Sequence, residues 1–168
     1  MHILRSLPFL DTPSAVDVSG ETVPVRAYQI IVHVSIGSDN ILLPNAPIFP
    51  AVLDTGHSHN FSIQGTQLRR WAKVEPDALV KLNSILVNRR EVPLRSATVW
   101  IYRNRPGTSQ LLPVPFLFSF PEGIAVHSAD ALDAPRLPLL GVRGLMRNRL
   151  QLTINDMAVS LKTRTKAR

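Results

Sequence analysis

Apolar and β-branched residues recur along this chain in short runs, each cut off by proline, glycine or a polar turn. That is the period of strands, and it leaves no room for long helices. The run YQIIVHVSI at residues 28–36 predicts a strand closing at Gly37, with a turn over Gly37-Ser38-Asp39-Asn40. Residues 40–49 carry Pro44 and Pro47 and predict an irregular edge or loop, after which Ala51-Val52-Leu53 predicts a short apolar strand. Residues 57–63 resume an extended pattern, while 66–72 and 76–82 predict one or two helical turns each. Residues 84–87 and 91–94 predict a hairpin about Asn88-Arg89-Arg90. ATVWIY at 97–102 predicts a strong strand ended by Asn104-Arg105-Pro106-Gly107, and 111–120 a strand interrupted by Pro113 and Pro115. Further strands are expected at 124–126 and 137–140, a helix at 142–148, and a last hairpin of 150–154 and 157–162 about Asn155-Asp156. Residues 1–24, mixed and proline-containing, read as an N-terminal arm.

Composition narrows this picture. The chain has 168 residues, 45% apolar and 18% charged, which fits one globular domain rather than a disordered chain. It contains no cysteine, so disulfide scaffolds, cysteine-ligated metal sites and thiol chemistry are excluded. No run reaches the length of a membrane span, and the first ten residues, broken by Arg5 and Pro8, do not form a signal peptide. The expectation is a cytoplasmic protein with no membrane partner. Of the net charge of +7, +6 lies from Arg143 onward. No aromatic residues are interleaved with those bases, so they read as a solvated basic tail and nucleic acid is not the expected partner.

One stretch carries chemistry. Asp54-Thr55-Gly56 follows the apolar strand 51–53 and is followed by His57-Ser58-His59. The strand delivers a carboxylate to its end, and Gly56 lets the chain turn and aim an N–H at it. One carboxylate cannot serve as acid and base together. Two of them about 3 Å apart share one proton and can do both. The chain has one Asp-Thr-Gly, so a second Asp54 has to come from a second copy, as a two-fold dimer allows.

Leu53-Asp54-Thr55-Gly56 resembles the active-site motif of the retropepsin-like aspartic proteases, in their single-lobe bacterial form. A second landmark, Leu139-Leu140-Gly141, resembles that family's apolar-apolar-Gly support, and a short helix and a strand follow it. The resemblance spans residues 28–154. It implies a mainly β, closed acid-protease barrel with one short helix before the C-terminal strand, as a homodimer. The protease domain would be residues 25–156, with 157–168 a C-terminal strand and basic tail. Asp54 would be catalytic, with Thr55, Gly56, Leu139, Leu140 and Gly141 supporting the loop and His57 and Ser58 near substrate. The partners implied are a second copy and a peptide or protein substrate; no cofactor and no metal are expected. The family usually places a small residue after the glycine, where this chain has His57, and its substrate-covering flap usually carries glycine, which the flap candidate 84–94 lacks. Those two departures motivate an alternative, a non-catalytic dimeric peptide-binding module on the same fold. The basic tip Asn88-Arg89-Arg90 would suit acidic substrates, and it reads equally as a solvated turn. The 87 residues from Asp54 to Gly141 imply added loops around 106–133. His57-x-His59 reads as a polar strand face rather than a metal pair, His33 as a satisfied strand histidine, and Trp71 and Trp100 as core.

Overall fold

The computed structural model describes residues 1–128 and 136–164. They form three sheets and two short helices. In chain order the strands are β1 (His2–Pro8), β2 (Ser14–Val18), β3 (Glu21–Val25), β4 (Ile30–Gly37), β5 (Phe49–Asp54), β6 (Phe61–Gln64), β7 (Lys81–Val87), β8 (Arg90–Arg95), β9 (Thr98–Asn104), β10 (Leu111–Phe118), β11 (Ile124–His127), β12 (Leu139–Gly141), β13 (Leu150–Asn155) and β14 (Ala158–Thr163). Helix α1 is Gly65–Arg70 and α2 is Val142–Arg147, with a 3-10 turn at Pro76–Ala78. No helix among the described residues is long and apolar enough to cross a membrane.

The main sheet has nine strands in the order β10-β9-β4-β5-β12-β6-β11-β8-β7. Its central strands read IIVHVSIG and FPAVLD because they are covered on both faces. Ser35, the polar side chain fully buried on β4, is paired, donating to the Pro47 carbonyl at 2.7 Å. Phe49, Phe61, Phe118, Ile101 and Leu140 fill the core between the layers.

The sheet does not close. Among the described residues β10 and β7 are free edges, so the expected closed barrel is corrected to an open sheet. The chemistry of the edges explains it. Pro113 and Pro115 leave β10 without two ladder donors, and Leu82 and Leu86 of β7 are exposed. Of the insertion expected at 106–133, the part 106–128 forms the turn before β10, β10 itself and β11, while 129–133 lies outside the described residues, as do tail residues 165–168.

The first 24 residues are not a loose arm. β1 pairs antiparallel with β14, which pairs with β13, in a three-stranded sheet. Asn104 at the end of β9 ties that sheet to the main one, accepting the Arg5 N–H at 2.9 Å and donating to the Arg5 carbonyl at 3.0 Å. β2 and β3 form a hairpin turning at Ser19-Gly20, both with positive φ (49° and 78°). Ile3, Leu4 and Leu7 are buried. Leu4→Ala is therefore expected to cost about 2–4 kcal/mol of unfolding free energy, read as a lowered urea midpoint; an unshifted midpoint would make β1 dispensable after all.

Candidate active site

β5 ends in Asp54, and residues 55–60 swing outward before returning as β6. β12 fills the gap between the two strands. It runs parallel to β5, with Leu139 opposite Val52, Leu140 opposite Leu53 and Gly141 opposite Asp54. On its other side it runs antiparallel to β6, with Leu140 opposite Phe61 and Leu139 opposite Ser62. The two motifs singled out in the sequence, 87 residues apart at the strand partners Asp54 and Gly141, thus lie side by side.

The loop is stapled from below. The Val52 N–H donates to the Pro138 carbonyl at 2.8 Å, the Gly141 N–H to the Asn60 carbonyl at 3.0 Å and the Val142 N–H to the His57 carbonyl at 3.2 Å. Within the loop the Gly56 N–H donates to Asp54 Oδ1 at 2.9 Å, and the His57 N–H to the Asp54 carbonyl at 3.2 Å. Asp54 is half-buried, while Thr55, Gly56 and Ser58 are exposed. The carboxylate is thus held at the rim of a rigid base with the loop's crest open to contact. Beside it a cleft of about 400 Å³ has apolar walls from Val25, Val52, Leu137 and Leu139.

His57 does not share that open crest. Its Nε2 lies 2.8 Å from Ser62 Oγ, a fully buried hydroxyl on β6, and its ring meets His59 edge-on at 5.4 Å between centroids. Burial holds the His57 pKa below its ordinary value. His59 and His127 push the same way and Asp54 the other, so the ring is neutral at pH 7. His59 is lowered too, by burial and then by Arg143.

These shifts have a consequence for stability. The unfolded chain binds protons on these histidines at pH values where the folded chain does not. Their contribution is complete above about 6.5 and is lost as pH falls below it. His57→Gln is expected to flatten the decline of unfolding free energy between about pH 7 and pH 5, followed by urea titration. An unchanged slope would refute a neutral, enclosed His57.

No family model, characterised protein or solved structure matches this chain. The site is therefore read from its own geometry. Several supporting side chains were not singled out in the sequence. Asn60 donates to Glu122 at 3.1 Å, and Glu122 pairs with Arg147 of α2. The Asn60 bond foremost, with Arg147 and Arg143, holds the Glu122 carboxyl below its ordinary range. This chain of contacts fastens the loop's return to the helix behind it. Ser62, the partner of His57, is fully buried on β6. Among the described residues no three His, Asp or Glu side chains gather to hold a metal ion, and His57 bonds Ser62.

The hairpin of β7 and β8 turns at Asn88-Arg89, both with positive φ (49° and 66°). It joins the sheet only at its base, where Arg95 faces Ile124 and Leu94 faces Ala125, so its outer half projects with Leu86 76% exposed. Trp71 is core, its Nε1 donating to Glu21 at 3.0 Å, whereas Trp100 is half-buried on β9.

Proposed function

We propose that this chain is an aspartic endopeptidase whose active form is a homodimer, with Asp54 of each copy facing the other across a two-fold axis. The observation that carries the reading is the Asp54-Thr55-Gly56 loop seated on β12, with Gly141 directly opposite Asp54. In the dimer the two carboxylates share one proton. The ionised oxygen draws a proton from water as it attacks the peptide carbonyl, and the protonated one donates to the carbonyl oxygen. Thr55, exposed beside Asp54, braces one loop against its mate, as the family's motif implies. Gly56 holds the carboxylate through its N–H, and Leu139, Leu140 and Gly141 form the base beneath. The substrate is an extended peptide taken up as an added strand, with the projecting hairpin 84–94 as its cover. The chemistry needs no cofactor. The cysteine-free composition suits a reducing, cytoplasmic compartment.

A second reading, a dimeric module that binds peptides without cutting them, is motivated by two departures from the family: His57 after Gly56, its ring turned to Ser62, and a flap candidate without glycine. The test is oligomeric state and peptide cleavage of the purified chain beside Asp54→Asn, between about pH 4 and 7. A dimer whose cleavage vanishes on substitution supports the protease. A dimer that binds peptide and never cuts supports the module, and a strict monomer overturns both.

A further inference from the structure

We infer that Arg26 and Arg136 form a subsite for an acidic side chain in the cleft beside Asp54, so that the chain selects extended peptides bearing Glu or Asp close to the bond held at Asp54. The inference rests on Asp54 marking the reacting end of that cleft. Arg26 follows β3 and Arg136 precedes β12, and both border the same hollow as the Asp54 carboxylate. Their backbones are fixed. The Arg26 N–H donates to Gln29 Oε1 at 2.8 Å and its carbonyl accepts the Gln29 N–H at 3.3 Å, while the Arg136 carbonyl accepts Gln67 Nε2 at 2.7 Å.

Both side chains are exposed, and among the described residues neither guanidinium meets a carboxylate. Arg69, Arg70, Arg95, Arg143 and Arg147, by contrast, each lie against one. Among the described residues Asp54 is the sole acid lining the cleft. A pair of Asp54 carboxylates sharing a proton carries a single negative charge, and the arginines of one cleft alone exceed it. The cleft is thus net positive with apolar walls. That combination accepts a Glu side chain, whose methylenes lie on Val52 and Leu139 while its carboxylate meets a planar guanidinium. Arg136 also borders a second hollow of about 590 Å³ between β3 and α1.

The probe is a set of extended Ala/Val/Leu peptides, each with one Glu at a different position, and their Gln twins. Cleavage is measured with the parent chain. Binding is measured by fluorescence anisotropy with Asp54→Asn, which cannot cut. At one or two positions the Glu peptide is expected to be preferred over its Gln twin by about tenfold, and the preference should shrink as salt rises. In Arg26→Gln/Arg136→Gln the Glu-to-Gln ratio should fall to about one, and in each single variant to an intermediate value. The ratio is its own control for any loss of folded protein. A ratio of one in the parent, or an unchanged ratio in the double variant, overturns the subsite. Arginine-dependent Glu preference in binding with no cleavage by the parent upholds the subsite and overturns the protease. Asp54-dependent cleavage without that preference does the reverse.

Discussion

A chain carrying Asp54→Asn is expected to cleave peptides at least about 10⁴-fold more slowly than the parent while changing its unfolding free energy by less than about 1 kcal/mol. The two effects separate because the residue has two jobs. As a bond acceptor it takes the Gly56 N–H at 2.9 Å, and an Asn side-chain oxygen accepts that bond equally well. The loop stays seated on β12 through bonds that involve only backbone atoms. As a proton carrier it has no substitute, since an amide neither takes a proton from water nor gives one back at neutral pH. Asp54→Ala would lose the acceptor as well, and its comparison with Asn isolates the structural part. Mixing sharpens the result. If parent and Asp54→Asn chains exchange freely at equal amounts, about one quarter of the dimers hold two Asp54 carboxylates. The parent chains in the mixture should then show about half the activity they show alone. Undiminished activity would mean that each copy works by itself, and the shared pair would fall.

The route from residues to this site was legible where local signals were strong. Runs such as IIVHVSI and ATVWIY are rich in β-branched and aromatic residues, so they announced strands. Asp54-Thr55-Gly56 and Leu139-Leu140-Gly141 stood out as motifs, although only the topology places one against the other. What stayed hidden depends on distant partners. β1 carries Arg5, Ser6 with positive φ (44°) and Pro8, poor strand signals, and its mate lies at the other end of the chain, with His2 opposite Lys162. Its burial comes from tertiary pairing, which overrides local preference. β2 and β3 were marked only by the Ser19-Gly20 turn between them, a usable hairpin signal set among proline and polar residues. Closure of the sheet was not readable either, because two strands with the same composition can be neighbours or free edges. The Asn60–Glu122–Arg147 contacts join residues from three separate stretches, each unremarkable alone.

Gly141→Ala is expected to be the most damaging single methyl group that can be added near the site. The backbone at Gly141 is ordinary, with φ −91° and ψ 167°, so the requirement for glycine is one of space. A Cβ there would stand 2.0 Å from the His59 carbonyl oxygen and 2.6 Å from that of His57. Both obstacles are backbone atoms of the Asp54 loop, so no side-chain rotation relieves the clash. The loop has to lift from β12, which breaks the Gly141-to-Asn60 and Val142-to-His57 bonds and releases Asp54 from its place opposite residue 141. Two lost hydrogen bonds, with the strain of overpacking, amount to about 3–5 kcal/mol. Cleavage should disappear even in the fraction that remains folded, because the two carboxylates would no longer meet in register. Gly144→Ala makes the contrast. Its Cβ would approach the Phe120 ring at 3.0 Å and the Asn60 carbonyl at 3.1 Å, contacts that a few tenths of an ångström relieve, and alanine is favoured over glycine within a helix by about 1 kcal/mol. Urea unfolding of the two variants should therefore differ by several kcal/mol for the same added methyl. If Gly141→Ala proved as stable as Gly144→Ala, the close seating of the Asp54 loop on β12, and the alignment of Asp54 that follows from it, would have to be abandoned.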